Sequence, residues 1–267
     1  MIFANHAHIF PQELRKEGTV PVLLEYLAEC EIDKAVAFAP FQMRLDEAAF
    51  GKEANGWLEK QLGGDGRLVG FGTVDFRKDN VADQVRNIKE LGFKGIKVHP
   101  AYQEVSVVGE KAFELYAEAE KSGLFLSFHT GIHWHRIKDY APVLFDEVAY
   151  CFPELKFSME HIGGYSFFNE ALAVMCNNSR KGNNVYAGWT SIAFDENGLA
   201  GIWSISDEQL LTLLNQTGYE NSIFGLDFPY KNVKMTKDAI QRIKSLPISE
   251  EAKAAILGDN LARALNI

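Results

Sequence analysis

Residues 92–131 read GFKGIKVHPAYQEVSVVGEKAFELYAEAEKSGLFLSFHTG, and this stretch holds the repeating unit of the whole chain. A β-rich run at 94–99 ends in His99, and an amphipathic helical pattern follows at 111–121. Gly123 stands just past that pattern, and a second apolar run at 124–129 ends in His129. Glycine past a helix end is a common stop, because it takes the left-handed conformation without a Cβ clash. Strand, helix, strand in that order predicts two parallel strands joined by a crossover helix.

The unit recurs in both directions. β-rich runs at 2–8, 34–40 and 67–75 precede it, and runs at 155–161, 184–188 and 222–227 follow it. Helical patterns at 20–31, 81–91 and 207–216 lie between them, with Pro21 at one start and Gly92 past one end. Eight strands, each followed by a helix, fit either an open doubly wound sheet or a closed barrel. The polar residues decide between them. His8, His99, His129, His161 and Asp227 fall at the C-terminal ends of separate strands. In a closed barrel those ends ring one mouth, whereas an open sheet would carry the first and last far apart. The expected fold is therefore α/β, a (β/α)8 TIM barrel, as one domain over 1–267. The length of 267 residues suits it. Residues 195–206 form the longest irregular stretch, expected as a loop at the mouth, and 249–265 reads as an added helix capped by Ser249.

The formal charge is −9, from 36 acidic and 27 basic residues, with no dense basic stretch. Such a surface repels a phosphate backbone or an anionic bilayer, so nucleic-acid and membrane partners are not expected. Cys30, Cys151 and Cys176 are too scattered for a disulfide framework or a CxxC site and read as buried free thiols. No secretion-type start or membrane-length apolar run is present, which fits a cytoplasmic protein.

Two imidazoles stand two residues apart in Asn5-His6-Ala7-His8. In a strand both project to one face, and together they offer two nitrogens to a borderline cation. A lone pair of this kind is also what an ordinary hydrogen-bonded core histidine beside a chance neighbour looks like. His129 and His161 end apolar strands, and Asp227 ends Phe224-Gly225-Leu226-Asp227. A polar group there needs a partner, and a metal would be one. Each has a mundane explanation alone, but five such residues at the ends of four strands are hard to explain as packing.

The assembled motifs resemble the amidohydrolase superfamily, in particular its amidohydrolase-related group that includes aminocarboxymuconate-semialdehyde decarboxylase. They are the N-terminal HxH, Gly92–Pro100, His129-Thr130-Gly131, His161-Ile162-Gly163-Gly164, Gly225–Pro229 and Ile256–Arg263, in the family's order. The resemblance implies one divalent ion held by His6, His8, His129 and Asp227, with His161 beside it polarising substrate or orienting water. Asp227 would also take the water's proton. Three imidazoles and a carboxylate favour zinc, with manganese or iron tolerated. Asn5 departs from the Asp that many members carry, which puts ligand orientation or affinity in question. Some relatives carry a carboxylated lysine between two metals. Lys97 is instead expected at the substrate, because the group is mostly mononuclear.

Substrate contacts are expected from Lys97 and His99, which share a face, from Arg44 as a carboxylate clamp, and from Trp134 and Trp189. His133 and His135 read as solvent-edge or substrate-contacting residues. The partner is a small molecule, and a homodimer is left open. Three functions stand: hydrolysis of a small amide, ester or lactone by metal-activated water; non-oxidative decarboxylation of a small carboxylated substrate; or a catalytically inactive binding barrel. The compact chain favours the first.

Overall fold

The computed structural model describes residues 1–179, 184–192 and 201–267. Its strands are β1 (Phe3–His8), β2 (Lys34–Phe38), β3 (Leu68–Gly72), β4 (Gly95–Val98), β5 (Phe125–His129), β6 (Phe157–Glu160), β7 (Val185–Thr190) and β8 (Ser222–Phe228). They run parallel in sequence order, and β1 pairs with both β2 and β8, so the sheet closes on itself. The fold is a TIM barrel.

Helices Val20–Glu29, Val81–Glu90, Glu110–Ser122 and Asp207–Thr217 occupy the expected crossovers. Others, among them Leu144–Cys151, Gly164–Asn178 and Val233–Ser245, complete the outer layer. Of the loop expected at 195–206, residues 195–200 lie outside the described residues. The C-terminal helix is real but interrupted: Glu250–Ala254 passes through a π turn at Ala255–Asp259 into Asn260–Leu265. Ser249 caps it, its hydroxyl accepting from the Ala252 amide at 3.1 Å.

Period-two alternation sorts each strand between two cores. One lies between strands and helices; the other fills the barrel with Phe3, Val36, Phe38, Phe71, Phe125, Tyr186 and Ile223. Leu261, Ala264 and Leu265 join that inner core, so the C-terminal helix closes the bottom. Gly258 makes the approach possible, since a Cβ there would stand 2.6 Å from the Met1 carbonyl oxygen.

The thiols are all free, but only Cys30 is buried; Cys176 is half-buried and Cys151 exposed. The expectation of burial fails for Cys151 because it occupies the last, outward-turned position of Leu144–Cys151. No described helix is long and apolar enough to cross a membrane.

Candidate functional site

Alternation carries the inward faces of β4 and β5 upward through Gly95, Lys97, His99 and through Phe125, Ser127, His129. His99 and His129 thus arrive at the mouth side by side, their rings stacked 3.8 Å apart at 9°. On β8 the same rule takes Ile223 and Gly225 to Asp227.

Elsewhere the alternation breaks, and the breaks build the site. Asn5 and His6 are neighbours, yet both reach Glu160 inside the barrel. Asn5 Nδ2 donates to Oε1 at 2.7 Å, and His6 Nδ1 lies 3.1 Å from Oε2. Strict pleating would send one of them outward. A register shift in β1 and a φ of 71° at His6 turn both inward. His161 (φ 63°) and Asp227 (φ 62°) are held in the same left-handed region. For residues other than glycine this costs about 1–3 kcal/mol each, and such conformations concentrate at working sites.

The donor atoms of His6, His8 and Asp227 all lie within 4.8 Å of one another. Asp227 Oδ1 is 3.6 Å from His6 Nε2 and 4.0 Å from His8 Nε2, while the Ser191 hydroxyl donates to Oδ2 at 2.8 Å. His129, expected as a fourth ligand, is not in this group. Its ring is 4.8 Å from that of His161, which in turn is 5.3 Å from His6. His129 Nε2 and His161 Nδ1 are both buried without a hydrogen-bond partner. Leaving such atoms unsatisfied costs about 1–3 kcal/mol each, a cost that a bound group beside them would relieve.

Glu160 is the hub beneath the cluster. Besides Asn5 and His6, it accepts from the hydroxyls of Ser127 at 3.1 Å, Thr190 at 2.5 Å and Ser158. Gly188 leaves the space its carboxylate fills, since a Cβ there would sit 2.5 Å from Oε2. By accepting from Nδ1–H of His6, Glu160 fixes the tautomer whose lone pair is at Nε2, which faces Lys97 Nζ at 3.4 Å and Asp227 Oδ1 at 3.6 Å.

Burial, reinforced by the Lys97 ammonium, holds His6 well below its ordinary pKa and His8 down at about 3. Burial likewise lowers His99, His129 and, to about 4, His161. All five are neutral at pH 7, the state a metal ligand requires. Burial brings Lys97 down to about 8 against the pull of Glu160 and Asp227.

A cavity of about 480 Å³ opens above these residues, lined by His6, His8, His99, His129, His161 and Asp227, with Arg44 and Trp134 at its edge. Trp134 is 86% exposed, so it can only cover the rim. Two expected substrate residues lie elsewhere. Lys97 is fully buried below the floor, 3.4 Å from His6 Nε2, because it sits one pleat deeper than His99. Trp189 alternates with the inward Gly188 and Thr190, so it points into the helix layer and packs there, fully buried. Of the loop pair, His133 lines the cavity and stands 4.5 Å from His99, whereas His135 pairs with Asp139. A second cavity of about 460 Å³ lies outside the ring, beside Asp75, Arg77 and Lys111. Its cations are already tied to Asp75, Asp46 and Asp79.

Sequence reading missed Glu160, Ser191 and the full set of rim cations. Glu160 left one trace: with Ser158 it makes two polar residues, two apart, in an otherwise apolar strand.

The amidohydrolase family profile matches residues 6–267. No curated protein matches the sequence. Among solved structures, the chain is similar to 5-carboxyvanillate decarboxylase from Sphingomonas paucimobilis: 17% identity, 100% of this chain and 99% of that one covered, TM-score 0.71. It is similar to a dihydroxybenzoic acid decarboxylase from a Polaromonas species, with bound manganese and the inhibitor 2-nitroresorcinol: 13% identity, 99% and 96% covered, TM-score 0.71. A third is a putative 2-pyrone-4,6-dicarboxylic acid hydrolase from Pseudomonas putida: 17% identity, 99% and 97% covered, TM-score 0.69. At these identities the likeness is one of fold.

Proposed function

The chain belongs to the amidohydrolase family, and from that premise we propose that it is a metal-dependent enzyme hydrolysing a small amide, ester or lactone. The observation that carries this reading is the convergence of His6, His8 and Asp227 within 4.8 Å, from opposite ends of the sequence. Neutral imidazoles and a carboxylate suit zinc, and manganese or iron equally by donor type. His129, with Nε2 buried and unpartnered, is the fourth candidate donor. A divalent cation in this set supplies Lewis acidity, lowering the pKa of water to about 7 and polarising a carbonyl.

The chain's own residues do the rest. Ser191 donates to Asp227 Oδ2 and fixes the carboxylate with Oδ1 toward His6 and His8, and this carboxylate takes the proton of the attacking water. His161 keeps Nδ1 free of protein partners to orient that water. Asp227 then returns the proton to the leaving group. Arg44 and His99 hold the substrate from the rim and the floor.

Decarboxylation is the second reading, favoured by Arg44 at the rim, a ready clamp for a carboxylate, and by the named activities of two fold neighbours. There the proton would go to the carbon that loses CO2. An inactive binding barrel is disfavoured, since it has no use for two unsatisfied imidazoles and three strained polar residues in one mouth.

Metal analysis of protein purified without chelator should find about one ion per chain, lost in His6→Ala. Screening the loaded protein with lactones, amides and carboxylated aromatics then separates the chemistries, with acid release expected and CO2 release selecting decarboxylation. Failure to retain any ion after reconstitution would overturn both.

A further inference from the structure

We propose that Arg15, Arg44 and Lys231 form an anion-binding arc for a second acidic group of the substrate, so that the substrate is a small dianion. This rests on the metal-centre reading for the position of the first group, but it stands on separate residues. All three cations line the same cavity as His8, His161 and Asp227. They come from the segments following β1, β2 and β8, which adjoin in the closed barrel.

In this chain of charge −9, several arginines pair with carboxylates: Arg67 with Asp65, Arg86 with Asp83 and Glu118, Arg242 with Asp207. Among the described residues, no ion pair involves Arg15, Arg44 or Lys231. Among the described residues, the cavity lining includes a single carboxylate, Asp227, which already faces His6, His8 and Ser191. Gathering like charges at a concave, partly desolvated surface is unfavourable until an anion arrives.

Arg15 is also prepared for a planar acid. Its guanidinium lies 4.4 Å over the Tyr230 ring and 5.9 Å from that of Phe10. Ring contact engages the flat face and leaves the N–H edge for a bidentate bond. Tyr230 in turn meets His8 edge-on, with centroids 5.7 Å apart. An anion on Arg15 is therefore one aromatic ring away from the metal-ligand candidates, a spacing that suits two acidic groups on one small body. Aromatics at Tyr102, Trp134 and Trp203 face the rest of the ligand.

The acidic group is a carboxylate or a phosphate, and binding tests separate them. Metal-loaded protein is titrated calorimetrically with benzoate, benzene-1,3-dicarboxylate and the phosphodiester methyl 3-carboxyphenyl phosphate, each of the last two carrying one charge per acidic group, at two salt concentrations. At least one dianion should bind about tenfold or more tighter than benzoate, the worth of one charge-assisted hydrogen bond. The preference should shrink at high salt and vanish in the double variant Arg15→Met/Lys231→Met, with benzoate affinity changed by less than about threefold. The better dianion identifies the group. Equal binding of mono- and dianions, no binding of either dianion, or a preference that survives the double variant would overturn the proposal. Metal content measured on the same samples distinguishes this failure from failure of the metal-centre reading.

Discussion

The two ends of this barrel are built from the same strands but under opposite rules. At the bottom, the apolar side chains of Phe3, Leu261, Ala264 and Leu265 pack together, Asn260 donates to the Tyr219 and Ser222 carbonyls, and Gly258 lets the C-terminal helix close against β1. At the mouth, His6, His161 and Asp227 sit in left-handed backbone, and two imidazole nitrogens go unpartnered. One end lowers the energy of the fold; the other spends part of that stability on a cluster of donors. The difference teaches where to look for function: where a strand departs from its own alternation, something other than packing selected the side chain.

The comparison breaks first if the bottom is not what holds the barrel. Leu261→Ala should destabilise the protein by about 2–5 kcal/mol through lost burial and a cavity, read by urea denaturation. Metal stoichiometry of the surviving folded protein should be unchanged. Loss of metal at full stability would mean the two ends are not separable.

Titration sharpens it next. His8 and His161 have folded pKa values of about 3 and about 4, below the 6.5 of an exposed imidazole. As pH falls below about 6.5, the unfolded chain takes up protons that the folded one refuses. Their contribution is complete above pH 6.5 and is lost progressively toward the folded pKa values. Each of the two imidazoles costs about 1.4 kcal/mol per pH unit in that window. Metal-free protein should therefore show urea midpoints that fall steadily from pH 7 to pH 5. Leu261→Ala should lower them all without changing the slope, and a flat profile would contradict neutral burial of these rings.

The smallest effect isolates Glu160. Glu160→Gln keeps the shape but turns an amide N–H toward His6 Nδ1, which moves the imidazole proton to Nε2. Metal affinity should drop about 10–100-fold while circular dichroism stays native. Unchanged affinity in a folded variant would reduce Glu160 to a buried polar group of the interior.

The closed barrel was legible because strand alternation and strand-end chemistry are local patterns, readable one segment at a time. So were His6, His8, His129, His161 and Asp227 as mouth residues. Trp189 was misread because a strand-end position does not say which face a residue takes, and neighbouring Gly188 and Thr190 had already claimed the inside. Lys97 was read on the correct inward face but one pleat too high, because a strand pattern does not say how deep the mouth reaches.

By itself the sequence determined the architecture and several of the polar side chains that reach the mouth, since periodicity and residue type are fixed by the order of residues. Only the tertiary structure decided which donors meet. Asn5 and Glu160 are 155 positions apart yet share a hydrogen bond, and that bond exists because β1 shifts register against β2 and β8. Register is a property of three strands together, so no single segment could have announced it.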